Sequence, residues 1–307
     1  MKRALVLAIV FAAFGMGAAK AQQLDLSKGG PVDVTARGGF EWVENEQKVV
    51  ASGDARAVRD NVTVLADRLV AYYRKKAGTT TPAPKPASTG AAAADVDSGN
   101  NEVYRLEAEG HVRILTPTDE AVGDRAIYDI DQAVLVLTGH ALKLTTPQQV
   151  MTARDSMEYW SQKHMAVGRG AAVVTTSDGR RLSGDTIVAY TDPGTPVPAG
   201  GVVPVKAPTD PVATSGKIQR IEAFGNVEVR TNVDIARGDR GVYMSDTGMA
   251  RLVGHVRITH DQNQFSGQAA DIDMKSGIAH LTSVPGERVS GLIVPNDAAA
   301  AAKAAKP

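Results

Sequence analysis

Three histidines, His111, His140 and His255, each follow a glycine, and five aspartates, Asp67, Asp124, Asp155, Asp185 and Asp239, recur at comparable places between them. Stacked imidazoles could form a row of metal ligands, and paired carboxylates could serve as acid and base in a β-helical carbohydrate-active enzyme. Neither chemistry suits the spacing. None of the histidines has a second His or Cys at metal-ligand separation. A catalytic carboxylate pair needs two unlike environments in one cleft, whereas these acids come once per repeat. The Asp-Ile-Asp runs at Asp129 and Asp131 and at Asp271 and Asp273 lack the Gly-Gly nonapeptides of calcium-binding β-rolls. The chain has no Gly-x-Ser-x-Gly, no His-Glu-x-x-His, no phosphate loop and no Gly-x-Gly-x-x-Gly leading into a helix. It is therefore expected not to be an enzyme and to carry no catalytic residue, metal or cofactor. The acids and histidines are expected at solvated structural turns.

What positions these residues is a repeat. The pentapeptide GHVRI occurs at Gly110 and again at Gly254, and looser copies begin at Gly53, Gly139, Gly168 and Gly225. The spacings are 57, 29, 29, 57 and 29, and each long step contains one low-complexity insert rich in Pro, Ala, Thr and Gly, at residues 77–99 and 192–216. Without the inserts the period is about 30, the mark of a repeat array. Each repeat also has a second alternating segment about 13 residues after the glycine, holding the aspartate; the last copy has Gln268 in place of the acid.

Parity sorts the faces, because strand side chains point alternately to opposite sides. Counting by twos through the glycine puts Leu106, Ala108, Val112 and Ile114 on one face, then Ile221, Ala223, Val227 and Val229, then Ala250, Leu252, Val256 and Ile258. The intervening positions, such as Glu107, Arg113, Glu228 and Arg257, are largely polar. This is strand periodicity, and no helical template fits it. Leu135 and Leu137 continue the apolar face in the Gly139 copy, which then breaks phase at Lys143. The expected body is all-β: an elongated, repeat-built jellyroll or taco of stacked antiparallel strands with two flexible inserts. A glycine inside each strand marks the bend that folds it over. Periodicity alone leaves open whether the apolar face is a lipid groove or a closed core.

Composition bounds the setting. Residues 1–21 read as a secretory signal peptide, with Lys2 and Arg3, an apolar stretch of about 13 residues and Ala19-Lys20-Ala21, so the mature chain is expected to be exported to the periplasm. The stretch is too short to span a membrane, which takes about 20 residues. Removing it leaves 31 cations against 34 acids, a formal charge of −3 that gives no basic footprint for nucleic acid. There is no cysteine, which excludes disulfides, thiol chemistry and lipidation at a cysteine. The body is expected over residues 22–294 and a disordered Ala/Lys-rich tail over 295–307.

The segments VTARGGFEWVENEQKVVASGDARAV, VTVLADRLVAYY, IEAFGNVEVR, ARGDRGVYM and ARLVGHVRIT, in this order, resemble the LptA/OstA-like family of periplasmic lipopolysaccharide (LPS) transport proteins. The resemblance covers roughly residues 32–283 without the inserts. It implies a β-jellyroll that shields the acyl chains of LPS and joins end to end into a bridge. It also implies as partners an inner-membrane LPS extraction complex and an outer-membrane LPS translocon. The chain departs from the family pattern in having about two extra turns as well as the inserts. On this reading Leu106, Val112, Ile114, Leu135 and Leu137 contact lipid, with Ile221, Val227, Val229, Leu252, Val256 and Ile258. The end-to-end edges fall at Val32 and Val34 and at Ile278 and Leu281. The alternatives are the carbohydrate-active enzyme above and a cargo-free periplasmic scaffold.

Overall fold

A long strand with a two-residue kink in its middle is the unit of this protein. In the computed structural model, residues 32–59, 61–75, 101–191, 218–231, 234–274, 276, 278–284 and 286–294 are described. The segment expected to be a signal peptide, both low-complexity inserts and the tail lie outside them. Eighteen strands are present among the described residues: β1 (Asp33–Thr35), β2 (Phe40–Val43), β3 (Lys48–Arg59), β4 (Val62–Lys75), β5 (Asn101–Leu115) and β6 (Glu120–Asp129). They continue with β7 (Val134–Thr138), β8 (Leu142–Thr145), β9 (Gln149–Ala153), β10 (Ser156–Trp160), β11 (Met165–Thr176) and β12 (Arg181–Thr191). The last are β13 (Ile218–Arg230), β14 (Asp234–Met244), β15 (Met249–His260), β16 (Asn263–Asp273), β17 (Ile278–Thr282) and β18 (Ser290–Leu292).

Each rung pairs antiparallel with the next, as in β3–β4, β4–β5 and β5–β6, so the chain stacks as a meander. Most rungs are one strand crossing both walls. Others are split in two at the bend: β1/β2, β7/β8, β9/β10 and β17/β18. In β5 the register jumps at Gly110 and His111, which together oppose the single residue Asp124 of β6. Both carry positive φ, 76° and 46°. The same Gly-x bulge recurs at Gly53-Asp54, Gly170-Ala171, Gly225-Asn226 and Gly254-His255. Such a bulge bends the strand sharply, and four of the five second positions are Asp, His or Asn, the residues that tolerate a left-handed backbone best. The repeat glycine of the GRGAA copy is thus Gly170, not Gly168, which stays in the strand.

Folded at these bulges, the sheet makes two walls. The first holds β2, the segment of β3 before its bulge, and their ladder through β7 and β10 to β17. The second holds β1, the segment of β3 after its bulge, and their ladder through β8 and β9 to β18. The turns at residues 44–47, 130–133, 161–164 and 245–248 form the first wall's lip, and those at 116–119, 146–148 and 177–180 the second's. One aliphatic cluster, including Ala108, Leu137 and Leu252 from the first wall and Val112, Val227 and Val256 from the second, runs continuously between them. The walls touch near the bend: a β-carbon on Gly168 would stand 2.1 Å from the Met151 Cε of the opposite wall. No helix among the described residues is long and apolar enough to cross a membrane.

The array also repeats on a larger scale. A 3-10 turn at Glu44–Glu46 follows β2, and another at Ser161–Lys163 follows β10. Each ends on a left-handed residue, Gln47 (φ 50°) and His164 (φ 49°), whose N–H bonds back to Glu44 O and Ser161 O. Phe40 pairs with Ala51 as Met157 pairs with Gly168, and the two stretches outside the described residues follow the equivalent strands β4 and β12. The β9/β10 rung therefore corresponds to β1/β2, and β3–β6 to β11–β14.

Candidate functional site

In β13–β16 interior burial falls from the bend outward, whereas Ile114, Tyr73 and Tyr128 stay buried away from it. Beside the bulges Val112, Ala172, Val227 and Val256 are at most 1 % exposed, and each valine contributes roughly 1.5–3 kcal/mol by leaving water. One or two pleats nearer the lips, Ile221, Leu182, Val229, Ile258 and Ile272 are only half-buried. The sequence-derived lipid set divides along this gradient. Val112, Ile114, Leu137, Val227, Leu252 and Val256 are buried in the main cluster, while Leu135, Ile221, Val229 and Ile258 pack against it half-buried. Leu106 is half-buried beside Tyr128 and Tyr159 in a smaller cluster. All eleven face inward.

Four of the aspartates sit in mid-strand and Asp155 at the break between β9 and β10, all against the glycines of the bend rather than in the lip turns. Asp67 lies against Gly110, Asp124 against Gly139, Asp155 against Gly170, Asp185 against Gly225 and Asp239 against Gly254. Their carboxylates accept hydrogen bonds from the residue beyond the glycine: His111 Nδ1 at 2.8 Å, His140 N and Nδ1 each at 2.7 Å, Asn226 Nδ2 at 3.0 Å and His255 Nδ1 at 2.7 Å. Asp155 is held by Arg154 instead, at 2.7 Å. The Asp67 carboxylate raises the His111 imidazole above its ordinary range, and the His140 N–H and ring hold Asp124 below its own. These histidines and aspartates are exposed along the outside of the bend. Among the described residues, no group of three or more His, Cys, Asp or Glu could hold a metal ion.

Among the described residues the two ends are open. Val34 lies in β1, whose pairing is with β3, and Val32 just precedes it; Ile278 and Leu281 lie in β17, which pairs with β16. Each end also presents a second short strand that the repeat glycine does not mark, β2 and β18. Phe40 (42 % exposed) and Trp42 (56 %) stand at one end, Ile278 (54 %) and Leu292 (62 %) at the other. The alternation in FEWV was the available signal for β2. Nothing in the repeat pattern signalled β18.

Stacked antiparallel rungs around one aliphatic interior, with the outer strand edges at both ends unpaired among the described residues, define a repeat-built β-jellyroll of the taco kind. The chain belongs to the family described as LptA/(LptD N-terminal domain) LPS transport protein, whose model matches residues 39–163 and again 153–278, so the family unit occurs twice in tandem. Among solved structures the chain is similar to LptH from Pseudomonas aeruginosa, the LptA homologous periplasmic component of a lipopolysaccharide transport device. The identity is 19 %, the match covers 48 % of this chain and 95 % of LptH, and the TM-score is 0.36. No curated protein matches the sequence.

Proposed function

We propose that this protein is a periplasmic LPS carrier that shields acyl chains between its two walls and joins head to tail into a bridge between the membranes. The observation that carries the reading is the continuous aliphatic interior, tight at the bend and half-buried toward the lips in β13–β16, in a chain built of two units of an LPS transport family. An acyl chain with about ten methylenes in water costs roughly 8 kcal/mol, which an aliphatic groove offsets. Half-buried Ile221, Val229 and Ile258 are the positions a chain would cover. The recurring acids serve as acceptors at the bulges, so the protein works by burial rather than by chemistry, and movement of cargo is driven by its partners. Those partners are an inner-membrane extraction complex and an outer-membrane translocon. Edge strands otherwise invite aggregation; here they supply main-chain ladders for strand addition.

A photocrosslinking residue at Ile258 or Ile221 in cells tests the carrier role, with outward Arg257 as control. LPS adducts at the inward positions alone are expected. Equal labelling on both faces, or none anywhere, would overturn the reading in favour of a cargo-free scaffold.

A further inference from the structure

All seven tyrosines and both tryptophans of this chain lie in the first wall, each within three residues of the strand end at its lip. The second lip has none. Rings that are apolar in body and polar at the tip favour a boundary between an apolar phase and water. Four of them also stack on cations: Tyr104 on Arg74, Tyr72 on Arg105, Tyr190 on Arg220 and Trp160 on Lys163, the last with Nζ 4.3 Å from the ring centre. Arg74, Arg105 and Arg220 are already paired with carboxylates, at 2.7, 2.6 and 3.2 Å. Lys163 has no carboxylate within ion-pair distance among the described residues.

Around Lys163 the lip holds a pocket of about 210 Å³ lined by Gln132, Trp160, Gln162 and Lys163. Two adjacent turns build it and are locked together, with Ser161 N and Oγ both donating to Ala133 O at 3.0 Å. Trp160 is fixed by its Nε1, which donates to Glu158 at 3.0 Å. The turn itself does not demand this chemistry. Its counterpart after β2 has the same 3-10 backbone but places Val43 where Trp160 stands, and Glu46 where Lys163 stands. Tyr159, one residue back in β10, is buried in an interior cluster, so Trp160 stands on the outer side of the same wall at its lip.

An aromatic platform, two side-chain amides and one uncommitted ammonium suit a sugar ring that bears an anionic substituent. We propose that this pocket binds the phosphorylated sugar headgroup of the amphiphile whose chains lie between the walls, so that the headgroup leaves over the first lip. The inference rests on the carrier reading.

In a Trp42→Phe background, Trp160 is the sole tryptophan, and its emission reports binding of bisphosphorylated lipid A and of the same lipid with its phosphates removed; a displaced fluorescent acyl probe reports chain binding separately. Expected are a saturable shift of Trp160 emission with the phosphorylated lipid and, for Lys163→Glu, an affinity loss of about fivefold or more for that lipid alone. Arg181→Ala, at the second lip, is expected to change neither. Unmoved Trp160 emission with intact chain binding, or equal losses for both lipids, would sink the pocket and leave the carrier reading standing. If no lipid displaces the acyl probe, both fail.

Discussion

The carboxylate of Asp67 lies over the α-carbon of Gly110, so close that a β-carbon on Gly110 would stand 2.1 Å from Oδ2. Gly110 also has φ +76°, where L side chains are strained. Gly110→Ala is therefore expected to cost about 2 kcal/mol or more, read as a lowered midpoint in chemical denaturation. Asp67→Gly in the same chain removes the clash but not the backbone strain, so the double variant should recover part of the loss. Full additivity of the two substitutions would show that the carboxylate does not enforce the glycine.

Aspartate–histidine pairs set a pH window. His111 and His260 are raised above the ordinary histidine value, near 6.5, by the hydrogen bonds their rings donate to Asp67 and Asp234. A raised folded value stabilises the native state below the unfolded value, and that contribution is lost as pH rises through the folded one. Asp124 is lowered, so its contribution is present above the ordinary aspartate value and is lost as pH falls through its folded value. Melting temperature should therefore peak between about pH 4 and 6.5 and fall on both sides. Asp67→Asn should return the NMR titration midpoint of His111 to the ordinary value; an unchanged midpoint would remove the pair from the argument.

Period-two alternation was enough to place Val112, Ile114 and Val256 inside, because every rung buries one face and exposes the other. What one strand cannot show is its neighbour. The contact of Asp67 with Gly110 depends on pairing between β4 and β5, across 43 positions of chain, and a repeat count sees only that both residues recur. In GRGAA two glycines compete for the bulge, and only register distinguishes Gly170, which bends, from Gly168, which makes room for Met151. β18 was missed because a strand of three residues carries too little alternation, and β2 because the repeat glycine does not mark its alternating FEWV. The one-sided placement of the aromatics is invisible until the walls are known.

Depth in the interior should separate stability from cargo contact. Val256, 1 % exposed at the bend, is expected to lose about 2 kcal/mol of stability on Val256→Ala with little change in lipid affinity once folded. Ile258, half-buried one pleat nearer the lip, should do the reverse on Ile258→Ala: a small loss of stability and a clear loss of lipid binding. Paired denaturation and acyl-probe displacement measure both. Equal effects on both readouts at the two sites would indicate a uniformly closed core.

The internal junction between the two family units gives a register for the external one. In β10, Met157 pairs with Leu137 of β7, and Phe40 is the counterpart of Met157 at the free N-terminal end. At the C-terminal end IAHLT of β17 matches VLVLT of β7. Ala270 pairs with Leu281 as Ala126 pairs with Leu137, and Asp273 Oδ1 accepts from Ser276 N as Asp129 Oδ1 accepts from Gln132 N. β17 of one copy runs in the sense that would pair antiparallel with β2 of the next. Leu281 would then stand opposite Phe40, and His280 opposite Glu41. Because the chain has no cysteine, oxidation of Phe40→Cys/Leu281→Cys should give disulfide-linked multimers, with Met157→Cys/Leu137→Cys as the intramolecular control for strand-pair geometry. Trp42→Cys/Leu281→Cys, two residues out of step, should link poorly. Linking that is equal in both registers, or absent while the control closes, would rule out this junction and leave the two ends without a defined partner in self-assembly.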